Sequence, residues 1–138
     1  MPKQLIPQKK ILVVDDEPMV CEAVKMLLEF DAHEVVTVSS GKEALALFEP
    51  GRFDVVIMDY TMPEMKGDEL ALAIKARLAS QPIIMITAHA EMLAASATPL
   101  AGVDHLVSKP FQLNELRDAI QKVTTRLSSA APLLSSKL

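Results

Sequence analysis

A chain of 138 residues, half of them hydrophobic and 23% charged, is long enough to bury one core and too apolar to stay disordered. Its net charge of −4 and lack of a Lys/Arg cluster exclude a general nucleic-acid binder, which needs gathered positive charge to neutralise phosphates. No apolar run approaches the ~20 residues of a membrane span, Met1–Ile6 is not a signal peptide, and the lone Cys21 cannot pair internally, so a reducing cytoplasm is expected.

The first predicted element is a strand over Lys10–Val14, nearly continuous in apolar residues and followed at once by Asp15 and Asp16. Pro18 suits a first helical turn and opens a helix to about Phe30 with Val20, Val24, Leu27 and Leu28 inward. A second strand covers His33–Val38. Ser40-Gly41-Lys42-Glu43 reads as a capping box that starts a second helix with Ala44, Leu45 and Phe48. The third strand, Val55–Asp59, ends in an acid. A helix over Asp68 to Ala79 follows, with Leu70, Ile74 and Leu78 at a spacing of four. Ile83–Thr87 is the fourth strand. Glu91 to Ala97 predicts a short, mobile fourth helix, because Pro99 forbids a long one. The fifth strand, His105–Ser108, runs into Lys109-Pro110. Leu113, Leu116, Ile120, Val123 and Leu127 stripe a fifth helix, and the Ser/Ala-rich segment 128–138 is expected to be a loose tail or the start of a linker. The alternation predicts one α/β domain over residues 8–127, a doubly wound, five-stranded parallel sheet with five flanking helices and right-handed crossovers.

In such a sheet the polar residues that end the apolar runs, Asp15, Asp16, Asp59, Thr87 and Lys109, converge on one edge, where open α/β sheets bind ligands. An Asp after a strand is often a helix cap, and that reading serves for one member of the Asp15–Asp16 pair. It explains neither both nor Asp59. Two carboxylates about 4 Å apart repel by about 4 kcal/mol at an effective dielectric of 20, so a proton or a cation must relieve them. An all-oxygen cluster without His or Cys suits Mg²⁺. Lys109 could be a salt-bridged strand end and Thr87 a β-favouring residue. Beside the acids they supply instead an ammonium and a hydroxyl for phosphate oxygens. The set fits phosphoryl transfer to an aspartate, which depends mainly on positioning and charge stabilisation.

These residues, in this order and spacing, resemble the receiver domain of two-component response regulators over roughly Lys10 to Leu127. The resemblance is carried by Ile11-Leu12-Val13-Val14-Asp15-Asp16-Glu17-Pro18, by 54–63 (Asp-Val-Val-Ile-Met-Asp-Tyr-Thr-Met-Pro) with Gly67, by Thr87-Ala88, and by Lys109-Pro110-Phe111. It implies the flavodoxin-like strand order 2-1-3-4-5. It implies Asp59 as phosphoacceptor, with a sensor histidine kinase or phosphotransfer protein as donor. Asp16, Asp59 and the backbone carbonyl of Thr61 would bind Mg²⁺ directly, and Asp15 through water. Thr87 would be the switch hydroxyl and Lys109 the phosphate-contacting base. The chain would be no enzyme beyond self-phosphorylation and autodephosphorylation. It would act as a phosphorelay intermediate or by docking on an output protein that the sequence does not identify.

One position departs from the pattern. The family usually has Tyr or Phe three residues before the lysine, and here Leu106 stands there. A receiver-like module that works without phosphorylation is therefore an alternative, as is a fragment of a longer regulator with an effector domain. A haloacid-dehalogenase-like hydrolase fits poorly, because its second Asp belongs where Thr61 lies. Thr61 and His89 read either as solvated loop residues or as flanking the path of an attacking water. His33 and His105 share no ligand spacing, and Met58, Met62, Met65 and Met85 read as core filling.

Overall fold

Strands β1 (Lys10–Val14), β2 (Glu34–Val38), β3 (Val55–Asp59), β4 (Ile83–Thr87) and β5 (His105–Ser108) form one parallel sheet in the order β2-β1-β3-β4-β5. The computed structural model describes residues 8–88 and 102–136, with side chains described as far as Thr125. Four helices lie among these residues: α1 (Pro18–Phe30), α2 (Gly41–Leu47), α3 (Gly67–Arg77) and α4 (Leu113–Ser136). The fourth helix expected over Glu91 to Ala97, with Pro99, falls outside the described residues.

Alternate strand residues feed two cores, as the period of two requires. Ile11, Val13, Ile57, Ile84 and Ile86 pack with Val24 and Leu28 of α1 and with Leu116, Ile120 and Val123 of α4. Leu12, Val14, Val56, Met58 and Met85 pack on the other face with Ala44 of α2 and with Leu70 and Ile74 of α3. Every residue of β3 and β4 is buried, which is why those runs lack a polar alternation.

Helix ends account for most of the differences from the expected boundaries. The α1 terminus closes as a Schellman motif: Ala32 N–H donates to Glu29 O at 2.8 Å and His33 N–H to Leu28 O at 3.2 Å. That bond holds His33 in the helix cap, so β2 begins one residue later than expected. At α2, Ser40 Oγ accepts the Glu43 N–H at 3.1 Å, but Glu43 Oε1 takes the N–H of Ser39 at 2.8 Å, one residue before the capping position. At α3, Glu69 Oε1 accepts the Lys66 N–H at 2.9 Å, so the helix starts one residue before Asp68.

The backbone of α4 is helical to Ser136, a difference from the loose tail expected after Leu127. Leu127, Ala130 and Ala131 are strong helix formers and outweigh the serines. The helix crosses Pro132, whose missing N–H leaves one carbonyl of the preceding turn without its helical partner. At its other end α4 is pinned to α1 by a two-pronged pair, Arg117 Nε and a terminal nitrogen each 2.7 Å from an Asp31 oxygen.

Ala32 holds the left-handed position of the Schellman motif at φ 67°, where a Cβ costs about 1 kcal/mol or more. Ala32→Gly is expected to stabilise the protein by about 1 kcal/mol in chemical denaturation, offset in part by unfolded-state entropy. A loss of stability would contradict this account of the α1 terminus.

Candidate functional site

The parallel register delivers the polar residues to one rim. Val14 pairs with Met58, so Asp15 and Asp59 emerge side by side from β1 and β3. Asp59 pairs with Ile86 and Thr87 with Ser108, which brings the ends of β4 and β5 to the same level. One carboxylate oxygen from each of Asp15, Asp16 and Asp59 lies within 4.8 Å of the others. Asp15 and Asp59 are buried, at 3% and 7% exposure, Thr87 is buried, and Asp16 is half-buried.

Lys109 Nζ stands 2.8 Å from Asp59 Oδ1 and 3.9 Å from Asp15 Oδ2, so the predicted ammonium does face the acids. Its backbone is fixed by a 3.0 Å bond from Lys109 N–H to Thr87 O, and a cis peptide joins it to Pro110. Asp15 does not cap α1, whose N-cap residue is Glu17 with no side-chain hydrogen bond. Its Oδ1 instead accepts the Glu17 N–H at 2.9 Å, which fixes the turn between β1 and α1.

The loop after Asp59 is held close to the sheet. Tyr60 N–H donates to Ile86 O at 3.1 Å and Gly67 N–H to Tyr60 O at 2.8 Å. A Cβ on Gly67 would lie 2.6 Å from the Asp59 carbonyl oxygen, so only glycine lets α3 start this near to β3. Thr61 is exposed at the mouth of the site. Leu106 is half-buried against the core on the α3 side, opposite Met85 in the β4–β5 ladder. His89 lies outside the described residues.

Cys21 is a member of the site's surroundings that spacing alone did not reveal. Its thiol donates to the Asp15 carbonyl at 3.3 Å, and burial followed by the Asp15 charge pushes its pKa up, so it stays a thiol. Its position six residues after Asp15, on the buried face of α1, was the only available signal.

Burial pushes the Asp15 carboxyl up to about 6, and the charges of Asp59 and Asp16 add to the rise; the Glu17 N–H and Lys109 oppose it. For Lys109, burial works against the charged form, but the Asp59 hydrogen bond and the Asp59 and Asp15 charges prevail and hold it above its ordinary value. Three acids and one ammonium leave the rim short of positive charge. Its donors are hard carboxylate oxygens with no imidazole or thiolate among them, a set that fits Mg²⁺ and not a softer ion.

A family description, the response regulator receiver domain, matches residues 11–121. The chain is 32% identical to the alkaline phosphatase synthesis transcriptional regulatory protein PhoP of Bacillus subtilis over 90% of this chain and 52% of that one. It therefore spans about half the length of that regulator. It is 34% identical to the chemotaxis protein CheY of Pseudomonas aeruginosa over 86% of this chain and 98% of that one. The response regulator TrrA of Thermotoga maritima, solved in complex with Mg²⁺-BeF, superposes with a TM-score of 0.75 at 35% identity, covering 84% of this chain and 99% of that one.

Asp15→Asn keeps an acceptor for Glu17 and removes the crowded charge. Folded Asp15 retains its proton between pH 3.8 and about 6, where the unfolded chain releases it, so its stabilising contribution is present below that window and lost as pH rises through it. His33 acts the other way: burial holds it below its ordinary 6.5, and it withdraws stability as pH falls. The difference between the two proteins isolates Asp15. Without metal, Asp15→Asn is expected to exceed the parent by roughly 2–3 kcal/mol at about pH 7.5 and to approach it at about pH 4, by chemical denaturation in EDTA. A parent more stable at neutral pH would contradict this.

Proposed function

Because the chain belongs to the response regulator receiver family, we propose that it is a phosphorylation-dependent signalling module in which Asp59 accepts a phosphoryl group. The observation that carries this reading is the 2.8 Å pairing of Lys109 Nζ with Asp59 Oδ1 beside two further carboxylates on the sheet's carboxyl rim. With Lys109 on Oδ1, the other Asp59 oxygen attacks phosphorus. The P–N bond to a donor phosphohistidine breaks, and the released imidazole nitrogen takes up a proton. Lys109 then follows the negative charge from carboxylate to phosphoryl oxygens, and Thr87 offers its hydroxyl to another.

Asp16, Asp59 and the Thr61 carbonyl would hold Mg²⁺ directly and Asp15 through water. Bound there, the ion supplies charge neutralisation between carboxylates and phosphate. The Mg²⁺-BeF complex of the Thermotoga relative supports placing both at this rim. Receiver domains interact with histidine kinases and phosphotransfer proteins, and a cytoplasmic donor of that kind is the proposed partner. Met19, Ala23, Met26 and Phe30 recur along one exposed face of α1, starting beside the acids, and offer an apolar stripe for the donor protein. The modified protein then signals by docking on an output protein or passes the group on as a relay.

Incubation with acetyl phosphate and Mg²⁺, followed by intact mass measurement, tests the reading. The parent is expected to gain one Mg²⁺-dependent phosphoryl adduct, and Asp59→Asn none. Met26→Glu should keep the adduct and lose transfer from a histidine kinase. No adduct on the parent, or an adduct surviving in Asp59→Asn, would overturn it.

A further inference from the structure

The β3–α3 loop carries two methionines just after Thr61. Met62 is buried in the core on the α2 and α3 side. Met65, three residues on, is half-buried at the edge of the same core and lies against the first residue of α2. A Cβ on Gly41 would sit 2.7 Å from Met65 Sδ and 3.2 Å from its Cβ and Cγ, and these are its three nearest atoms. Gly41 has no left-handed backbone to justify glycine, whereas Gly51 and Gly102 do. What glycine provides at 41 is room for Met65.

Between the anchors the loop is strained. Glu64 is held at φ 71°, a left-handed conformation that L side chains avoid, and Met65 N–H closes a tight turn onto Pro63 O at 2.7 Å. Such a conformation persists only where its neighbours impose it. Beside the contact runs a cleft of about 250 Å³ lined by Lys42, Leu45, Pro63 and Met65. The Met65 side chain therefore has space to leave Gly41, and the loop can relax.

We propose that the Met65–Gly41 contact is a latch that ties the β3–α3 loop to α2, making Met65 a positioning residue for the Thr61 end of the site. The functional half of this inference rests on the function proposed above. The mechanical half does not, because it concerns the metal-free loop. By this reading α2, which touches no reacting group, sets the geometry of the metal-binding carbonyl through the Met65 side chain.

A double-substitution cycle tests it with parent, Gly41→Ala, Met65→Ala and the pair. Amide hydrogen exchange of Met65 and Gly67 is followed without metal, and Mg²⁺ affinity by calorimetry. Each single change is expected to speed both amides and to weaken Mg²⁺ binding by roughly three- to tenfold. The double variant should be no worse than the poorer single one, because both remove the same contact. Met65→Leu, which keeps a flexible apolar side chain, should restore slow exchange. If Gly41→Ala fails to fold, Met65→Ala and Met65→Leu still decide the matter. Unchanged exchange in Met65→Ala, or additive losses across the cycle, would overturn the latch. A parent that binds no Mg²⁺ while its loop still responds would overturn the proposed function and leave the latch standing.

Discussion

Like charge held out of water is the constraint on which the structure turns. Asp15 and Asp59 are buried at the carboxyl rim with Asp16 beside them, their oxygens within 4.8 Å, and one ammonium from Lys109 faces them. Burying carboxylates is costly, and two near each other raise the cost further. The protein meets this by keeping a proton on Asp15 to about pH 6 and by drawing Lys109 onto Asp59. A divalent cation relieves the same crowding more fully. A rim built this way asks for positive charge.

The remainder of the fold exists to hold that crowding in place. Fully buried strands β3 and β4 cannot slip by one residue without turning a core face the wrong way. The register of β3 with β1 therefore fixes the separation of Asp15 and Asp59. Gly67 lets α3 start against the Asp59 carbonyl, and the Lys109 N–H is tied to Thr87 O. Asp15 and Asp16 are thus positioned by the end of β1 and Asp59 by the end of β3, and the fixed spacing of these strands resists mutual repulsion.

Much of this was legible in the chain alone. The strand limits of β1, β3, β4 and β5 follow from apolar runs that end in charged or hydroxyl residues, and those end residues are the rim. Local chemistry also marked Pro18 and Ser40. What could not be read depends on contacts made where the elements begin and end. Periodicity does not tell that Glu43 bonds Ser39 in place of Ser40, that His33 is drawn into the α1 cap, or that the Cys21 thiol reaches the Asp15 carbonyl. The Met65–Gly41 packing is of the same kind. Two residues whose types looked like core filler and a capping spacer meet across the sheet's edge. Beyond Leu127 a Ser/Ala-rich composition carries no apolar stripe to mark a helix, although the backbone is helical to Ser136.

The most direct measurement of the central claim is proton release on Mg²⁺ binding, by calorimetry in two buffers of different ionisation enthalpy. If crowded carboxylates hold a proton that the cation displaces, binding at about pH 6 releases about half a proton, and release vanishes at about pH 8. Mg²⁺ binding with no proton release at about pH 6 would contradict the account, because the rim would then carry its full negative charge unaided.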